Sequence, residues 1–293
     1  MGIHSGKTTL RFAVGDIAIT KVVELVEHAS PSVLYVDRVS DDFDPHLDWL
    51  QPNYVDAEKS MLLSVHSFVL KTTHHTILVD TCVGNHKQGN SRFPNWNGRE
   101  GPFLDDLTAA GFAPEDVDFV LCTHMHSDHT GWNTRLQDGR WVPTFPNATY
   151  LFDWREWEAW KDHPGENEQI TNQHNIIPIL EAKQVQWIES GWQIDGAISL
   201  MPTPGHTPGH CSVVLDSRNE LAVITGDMMI HPVQVAEPDW RQRGDSDKEL
   251  AIKTRTHFID QHCDRDVLIL GTHFDSPSGV RIVSKNGQRR IRY

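Results

Sequence analysis

The sequence lacks paired cysteines, long apolar runs and a signal-peptide core. Its four cysteines are scattered and form no Cys-x-x-Cys pair, which argues against a zinc knuckle or a disulfide framework and predicts reduced thiols. No segment approaches the roughly 18 apolar residues of a membrane span, so no membrane partner is expected. The first residues contain no apolar signal segment, and we therefore expect a cytoplasmic location.

Positive charge is also scarce. The chain has 26 Lys and Arg against 40 Asp and Glu, a formal net charge of −14. Nucleic-acid binding needs a basic face, so no nucleic-acid partner is expected. No internal repeat or Gly/Ser linker divides the 293 residues. We predict a single domain over residues 1–293.

Apolar, β-branched segments predict strands in both halves of the chain. The clearest are residues 16–25, 62–72, 75–81, 117–123, 197–203, 211–217, 220–227 and 266–273. Two further stretches, 27–58 and 84–101, are polar and contain prolines, and we expect both to be loop excursions over the surface. Loops this long are usually functional or disordered.

Helices are predicted at residues 102–111, in a helical segment at 151–183, and at 246–263. Ser246 and Glu249 have the spacing of a capping box at the start of the last helix. Trp154, Trp157 and Trp160 are spaced three apart and indicate a packing face. Strands combined with fewer helices predict an α/β (α+β) fold in which helices cover sheets.

Histidine and aspartate residues follow several of the predicted strands. The string "CTHMHSDHTGW" places His124, His126, Asp128 and His129 directly after strand 117–123. Three further residues of these types stand at the ends of other strands: His206, Asp227 and His273. Rigid scaffolds place reactive groups at such strand ends. Each residue alone also fits an ordinary turn or a buried polar position, so the prediction of a site depends on their joint occurrence.

Seven such side chains exceed what one tetrahedral metal ion requires. We predict two divalent transition-metal ions, with Zn²⁺ as the first expectation and Mn²⁺, Fe²⁺ or Co²⁺ as alternatives. One ion takes His124, His126 and His206, and the other takes Asp128, His129 and His273. Asp227 bridges the two. His210, the second histidine of "TPGHTPGH", is predicted to be structural.

These motifs resemble the metallo-β-lactamase superfamily. The resemblance covers "VLCTHMHSDHTGW", "LMPTPGHTPGHCSVVL", "LAVITGD" and "LILGTHF", with "ILVDT" upstream, over about residues 60–275. It implies an αββα sandwich of two mixed β-sheets flanked by helices, with a dinuclear metal site at one edge. It also implies that Asp80 supports the ligands without binding metal.

Within the superfamily, single residues favour one branch. Redox members carry an acidic residue where His126 stands, and the β-lactamases lack the carboxylate that Asp227 supplies. Glyoxalase II adds a helical domain after the last ligand histidine, and only 20 residues follow His273. The chain resembles instead the lactonases and the methyl parathion hydrolase-like enzymes. It departs from many acyl-homoserine lactonases at Ile230, where they place a tyrosine.

The resemblance implies a metal-dependent hydrolase that opens a lactone, or cleaves a related ester, by attack of a metal-bridging hydroxide. Asp128 or Asp227 is the expected proton shuttle. The alternatives are hydrolysis of an organophosphate triester at the same site and a non-catalytic metal-binding sensor. A hydrophobic small-molecule substrate is expected, and a homodimer is left open. The predicted pocket residues are Phe93, Trp96, Trp132, Ile230, His231 and Phe274.

Overall fold

The computed structural model describes residues 9–189 and 191–293. The strands are β1 (Leu10–Val14), β2 (Ile17–Ala29), β3 (Met61–Lys71), β4 (Thr76–Val79), β5 (Phe119–Leu121), β6 (Thr134–Gln137), β7 (Arg140–Pro143), β8 (Thr149–Asp153), β9 (Val185–Ile188), β10 (Gln193–Ile194), β11 (Ile198–Pro202), β12 (Cys211–Ser217), β13 (Glu220–Ile224), β14 (Val267–Leu270), β15 (Gly279–Lys285) and β16 (Gln288–Arg292). The α-helices are α1 (Pro31–Leu34), α2 (Leu47–Leu50), α3 (Phe103–Ala109), α4 (Ser127–Thr130), α5 (Trp154–Trp160), α6 (Glu166–Thr171), α7 (Ile177–Glu181), α8 (Val233–Ala236) and α9 (Lys248–His262).

Two seven-stranded mixed sheets form the body of the protein. The first has the order β1-β2-β3-β4-β5-β8-β9, with its antiparallel strands at one end and its parallel strands at the other. The second has the order β10-β11-β12-β13-β14-β15-β16, in which only the β13–β14 pair is parallel. Strands β6 and β7 form a separate hairpin.

Alternating side chains place apolar residues on both faces of each sheet. In β4, Ile77 and Val79 join a core shared with the second sheet, whereas Leu78 joins the core on the outer face. In β13, Ala222 and Ile224 face the shared core and Val223 the outer one. Because successive strand residues point to opposite faces, a strand buried on both sides is apolar throughout. The predicted αββα sandwich is confirmed.

Two predicted segments differ from the structure, the first at its start and the second along its length. Residues 151–153 are not helical, because β8 pairs with β5 through Leu151 and with β9 through Asp153, and helix α5 begins only at Trp154. Residues 27–58 are not a loose surface excursion. Strand β2 continues to Ala29, short helices follow, and Tyr35, Phe43 and Tyr54 are fully buried. These aromatic side chains fix the segment to the core.

The last helix is capped by a different residue from the one predicted. Asp247 is the N-cap, and its Oδ1 accepts a hydrogen bond from Leu250 N at 3.0 Å. Ser246 Oγ instead donates to His206 O at 2.9 Å. The hydroxyl therefore ties the helix start to the loop that carries a predicted ligand.

Two general expectations can be compared with the structure. None of the four cysteines is in a disulfide; Cys82, Cys122 and Cys211 are buried and Cys263 is partly exposed. Within residues 9–189 and 191–293, no helix is both long enough and apolar enough to cross a membrane.

Gly131 allows the closest backbone approach behind the histidine cluster. A Cβ at this position would lie 1.9 Å from Val83 O, so no side chain fits without moving the backbone. We expect Gly131→Ala to lower the free energy of unfolding by about 3 kcal/mol or more. Urea unfolding of metal-free protein measures this loss.

Gly139→Ala is the matched control. Gly139 has a φ of +74° and no atom within 4 Å of the added Cβ, so only backbone strain of about 1 kcal/mol applies. Equal losses in the two variants would contradict the close packing of Gly131.

Candidate metal centre

The structure brings seven predicted side chains together at one edge of the sandwich. They follow the ends of strands from both sheets: His124, His126, Asp128 and His129 after β5, His206 after β11, Asp227 after β13, and His273 after β14. Strands that run in the same direction end at the same edge of a sheet. Residues that are distant in sequence therefore meet at this edge. The ligand atoms separate into two groups that share Asp227.

The first ligand group consists of His124, His126 and His206 together with Asp227. The Nδ1 atom of His126 lies 2.9 Å from Nε2 of His124 and 2.9 Å from Nε2 of His206. Oδ2 of Asp227 is 3.5 Å from His206 Nε2 and 3.9 Å from His124 Nε2. Four atoms that each lie about 2.0–2.2 Å from a tetrahedral ion are separated by similar distances.

The second ligand group consists of Asp128, His129 and His273, again with Asp227. The Nε2 atoms of His129 and His273 are 3.3 Å apart, and each lies within 3.6 Å of Asp128 Oδ2. Oδ1 of Asp227 is 3.4 Å from His129 Nε2 and 3.2 Å from His273 Nε2. The two oxygens of one carboxylate thus face the two groups separately.

In three of the histidines the outer ring nitrogen, which faces away from the other ligand atoms, has a hydrogen-bond partner. These partners show that the inner nitrogen is the one free to bind an ion. His273 Nδ1 donates to the carbonyl oxygen of Ser64 at 3.1 Å, because that oxygen only accepts. His206 Nδ1 lies 2.9 Å from Asp245 Oδ1, and His129 Nδ1 lies 3.0 Å from Asp80 Oδ2. A proton on each outer nitrogen leaves the inner Nε2 lone pair for a metal ion, as in other metal-binding histidines.

Electrostatics also favour a cation at this edge. Burial and the neighbouring imidazoles lower the pKa of His124 well below its usual value. Burial alone would lower the pKa of His129, but Asp227, Asp128 and Asp80 raise it well above the usual value. Buried Asp227 Oδ1 accepts no well-aligned hydrogen bond from a described residue. The residues therefore fit metal ions, whose charge replaces a proton between the carboxylates.

Asp80 supports the second ligand group through a hydrogen bond to His129. It follows β4 with a φ of +57°, and its carboxylate accepts hydrogen bonds from Thr123 N at 2.8 Å and from His129 Nδ1. A left-handed backbone at a non-glycine residue is strained and is usually held by its surroundings at functional sites. The Asp80 carboxylate is thus held against Thr123 and His129, both of which follow β5.

His210 is buried behind the site and belongs to neither ligand group. Its Nε2 accepts a hydrogen bond from Asp227 N at 2.8 Å, and its Nδ1 therefore donates to Thr203 Oγ1 at 2.8 Å. Both nitrogens are occupied, and burial lowers the pKa of His210 to about 3. The neutral ring holds the backbone of Asp227 in place.

A cavity of about 310 Å³ opens directly over the two ligand groups. Of the predicted pocket residues, Phe93, Trp96 and Ile230 line it. Phe93 and Trp96 are more buried than their polar loop suggested, because their rings stack 4.3 Å apart and Trp96 Nε1 donates to Glu27 Oε2 at 3.0 Å.

Contrary to the prediction from the sequence, Trp132, His231 and Phe274 do not line this cavity. Trp132 is buried behind the site and donates from Nε1 to Glu24 Oε1 at 2.8 Å. His231 is fully buried, with Nε2 hydrogen-bonded to the carbonyl oxygen of Tyr54, and Phe274 packs against the Tyr54 ring. Each of these three side chains contacts a residue that directs it toward the core and away from the cavity.

The structure also adds residues that the sequence did not indicate. Trp160 lines the cavity, and its ring centroid is 5.2 Å from that of His126. Arg92 and Gly244 line the same wall. The tryptophan spacing at 154–160 indicated a packing face but not which of the three rings faces the site.

Comparison with known proteins identifies the family. Residues 61–284 match the family model described as the metallo-beta-lactamase superfamily. An N-acyl homoserine lactonase from a Bacillus species is 27% identical over 172 residues, which are 55% of this chain and 62% of that protein. The N-acyl homoserine lactonase AttM of Agrobacterium fabrum is 32% identical over 131 residues, 40% of this chain and 42% of that protein.

Solved structures support the same fold. A crystal structure of the hydrolase AbOPH in the beta lactamase superfamily is 25% identical with a TM-score of 0.79, covering 97% of this chain and 96% of that one. AidC, a dizinc quorum-quenching lactonase, is 20% identical with a TM-score of 0.79, covering 98% of this chain and 97% of that one. The aligned region spans about 62–64% of the Bacillus relatives. The family model covers most of the chain, and the protein belongs to the metallo-β-lactamase superfamily.

Proposed function

We propose that this protein is a hydrolase that opens a lactone or cleaves a related carboxylic ester with the help of two divalent metal ions. The observation that carries the proposal is the set of seven donor side chains in two groups, joined by the two oxygens of Asp227 and open to one cavity. The relatives named as N-acyl homoserine lactonases and the dizinc neighbour support it.

The first and second ligand groups would each hold one ion, and Zn²⁺ suits their imidazole and carboxylate donors. Bound ions of this kind polarise a carbonyl group and make water acidic enough to attack it near neutral pH. The protein's own part is to fix the donor positions and to move protons. Asp128, which lines the cavity and is partly exposed, is the carboxylate placed to pass a proton to the leaving alkoxide.

The cavity wall determines which substrates fit. Apolar side chains line much of it: Leu34, Leu63, Val65, Phe93, Trp96, Trp160 and Ile230. They suit the acyl or aryl part of a hydrophobic ester, and about 310 Å³ is at the lower end of the usual size of small-molecule sites. We infer a small, largely apolar substrate.

One wall of the cavity is polar and lies beside the first ligand group. A Cβ on Gly244 would lie 3.1 Å from His206 Cε1, 3.7 Å from His126 Cε1 and 3.6 Å from Arg92 Nη1. The absence of a side chain at Gly244 leaves space above the two histidines. The Arg92 guanidinium borders this space and can donate hydrogen bonds to an oxygen of the substrate or of the carboxylate product.

The homodimer that the sequence leaves open and the cytoplasmic location expected from the sequence are both untested. Size-exclusion chromatography with light scattering tests the first, and cell fractionation tests the second.

Asp227→Asn tests the two-metal arrangement. The substitution keeps the shape of the side chain but removes the negative charge between the two groups. We expect loss of one ion or weaker binding of both, and a fall in kcat of at least roughly 10²-fold. Metal analysis and steady-state kinetics on the same preparation measure both effects.

Asp216→Asn is the matched control, because Asp216 is exposed on β12 and pairs with Leu221 at the start of β13, at the opposite end of that strand from Asp227. It should keep two ions and full activity. Two bound ions with unchanged kcat in Asp227→Asn would argue against the bridging role. His210→Ala is unsuitable as a neutral control, since His210 holds Asp227 N.

Phe93→Ala tests the substrate wall. Losing an aromatic contact should raise KM about 10-fold or more for lactones with long acyl chains, and less for short ones, while metal content stays constant. A panel of lactones, aryl esters and aryl phosphotriesters measures this effect and the reaction preference together.

Trp154→Ala serves as the control, because Trp154 is 47% exposed and does not line the cavity. An unchanged KM profile in Phe93→Ala would remove Phe93 from the substrate site. Faster turnover of phosphotriesters than of every lactone and ester would overturn the proposed substrate class.

A further inference from the structure

A buried carboxylate next to the first ligand group has no part in the proposed reaction. Glu156 lies on α5 and is 1% exposed. Its Oε1 accepts a hydrogen bond from Gly209 N at 2.7 Å, and its Oε2 accepts from Met125 N at 3.1 Å and from Trp160 Nε1 at 3.2 Å. All of these partners are N–H donors, so the side chain acts as an acceptor only.

The donors belong to the three segments that build one side of the site. Met125 stands between His124 and His126, and Gly209 stands three residues after His206. A single carboxylate therefore connects the two loops that carry all three histidines of the first ligand group. The third donor, Trp160, is the aromatic residue whose ring meets that of His126 nearly perpendicularly.

The second loop is also packed tightly onto the helix that carries this carboxylate. A Cβ on Gly209 would lie 2.8 Å from Glu156 N and 3.0 Å from Glu156 Cγ. Without a side chain, Gly209 lets its N–H approach the carboxylate directly. Hydrogen bonds to Glu156 and backbone contact with α5 thus hold the two loops together, in addition to the hydrogen bond from Cys211 N to Thr123 O at 3.0 Å.

Burying a charged group in this way is costly unless it is fully hydrogen-bonded. Burial raises the pKa of the Glu156 carboxyl. If the Glu156 carboxylate were removed, the three N–H groups that donate to it would be buried without an acceptor. The three donors that converge on Glu156 therefore indicate a role in holding the backbone, beyond filling space.

We propose that Glu156 is a positioning residue that fixes the separation of His124, His126 and His206 and thereby sets the affinity of the first ligand group for its metal ion. The inference rests on the proposed function, because it assumes that this group binds metal. Glu156 touches neither the ligand atoms nor the cavity, and it acts through the loop backbones.

Glu156→Gln is the test variant. An amide has one acceptor oxygen, so its NH₂ group faces at least one of the three N–H donors whichever way it is turned. Zn²⁺ binding to the metal-free full-length protein is measured by competition with a chromogenic chelator, which yields two dissociation constants. His206→Ala identifies which of them belongs to the first ligand group.

We expect Glu156→Gln to weaken the step that His206→Ala abolishes by at least 10-fold and to change the other step less than 3-fold. Activity should return when Zn²⁺ is raised, because the catalytic groups themselves are intact. Unchanged affinity at both steps, or equal weakening of both, would overturn the proposal. If the wild-type protein binds no Zn²⁺, the proposed function itself fails, which separates the two outcomes.

Glu24→Gln is a closely matched control. Glu24 is also buried and also accepts from two backbone amides and one indole, namely Val83 N at 2.8 Å, Gly84 N at 3.2 Å and Trp132 Nε1 at 2.8 Å. None of these donors lies in the loops of the first ligand group. Its variant should lose comparable folding stability and leave the affinity of that group unchanged; weakening equal to that of Glu156→Gln contradicts the proposal.

Gly209→Ala provides a second route if Glu156→Gln does not fold. The added methyl group would contact Glu156 N and Cγ, and we expect it to push the His206 loop away from α5 while the carboxylate itself is retained. The same selective weakening is expected, and its absence in a folded variant counts against the proposal.

Discussion

The Asp227 carboxylate, buried between two sets of imidazoles, is the constraint on which the site depends. Its two oxygens face different ligand groups at 3.2–3.9 Å. A buried carboxylate is costly unless positive charge or hydrogen bonds compensate for its lost hydration. Burial raises the pKa of Asp227, but His129 and His273 outweigh it and hold that pKa well below the usual value. The rest of the edge is arranged to keep those groups in place.

A ring of buried acceptors surrounds the ligands and keeps them in place. Asp80 holds His129, Asp245 holds His206, and Ser64 O holds His273, each through the nitrogen that faces away from the site. Glu156 does the same for the loop backbones. The fold provides these acceptors because each lies on or beside a strand or helix end packed against the cores. These hydrogen bonds restrict the orientations of the histidine rings.

The meeting of the seven side chains at one edge could be predicted from the sequence because each of them follows an apolar strand. Strand ends are visible as the last residues of a β-branched segment, and neighbouring strands end at one edge. The supporting layer could not be predicted in this way. Glu156 meets Gly209 and Met125 across 53 and 31 residues, and nothing in the local pattern around it differs from an ordinary amphipathic helix. Only the three-dimensional arrangement shows that the three donors converge.

For the pocket residues as well, the local sequence predicts less than the hydrogen-bond partners that are distant in sequence. Phe93 and Trp96 were indicated by their place in a polar loop. Trp132 and His231 lie close in sequence to a predicted ligand, but this nearness does not fix the direction of a side chain. Glu24 draws Trp132 inward, and the carbonyl oxygen of Tyr54 draws His231 into the core. Side chains next to a ligand thus follow their own hydrogen-bond partners.

We propose that two metal ions lie on either side of Asp227. Anomalous diffraction at the zinc absorption edge, from crystals grown without chelator, tests it most directly. The account predicts two anomalous peaks, one among His124, His126 and His206 and the other among Asp128, His129 and His273, with one Asp227 oxygen bound to each. A single peak in fully occupied crystals, or two peaks of which only one contacts Asp227, would contradict it.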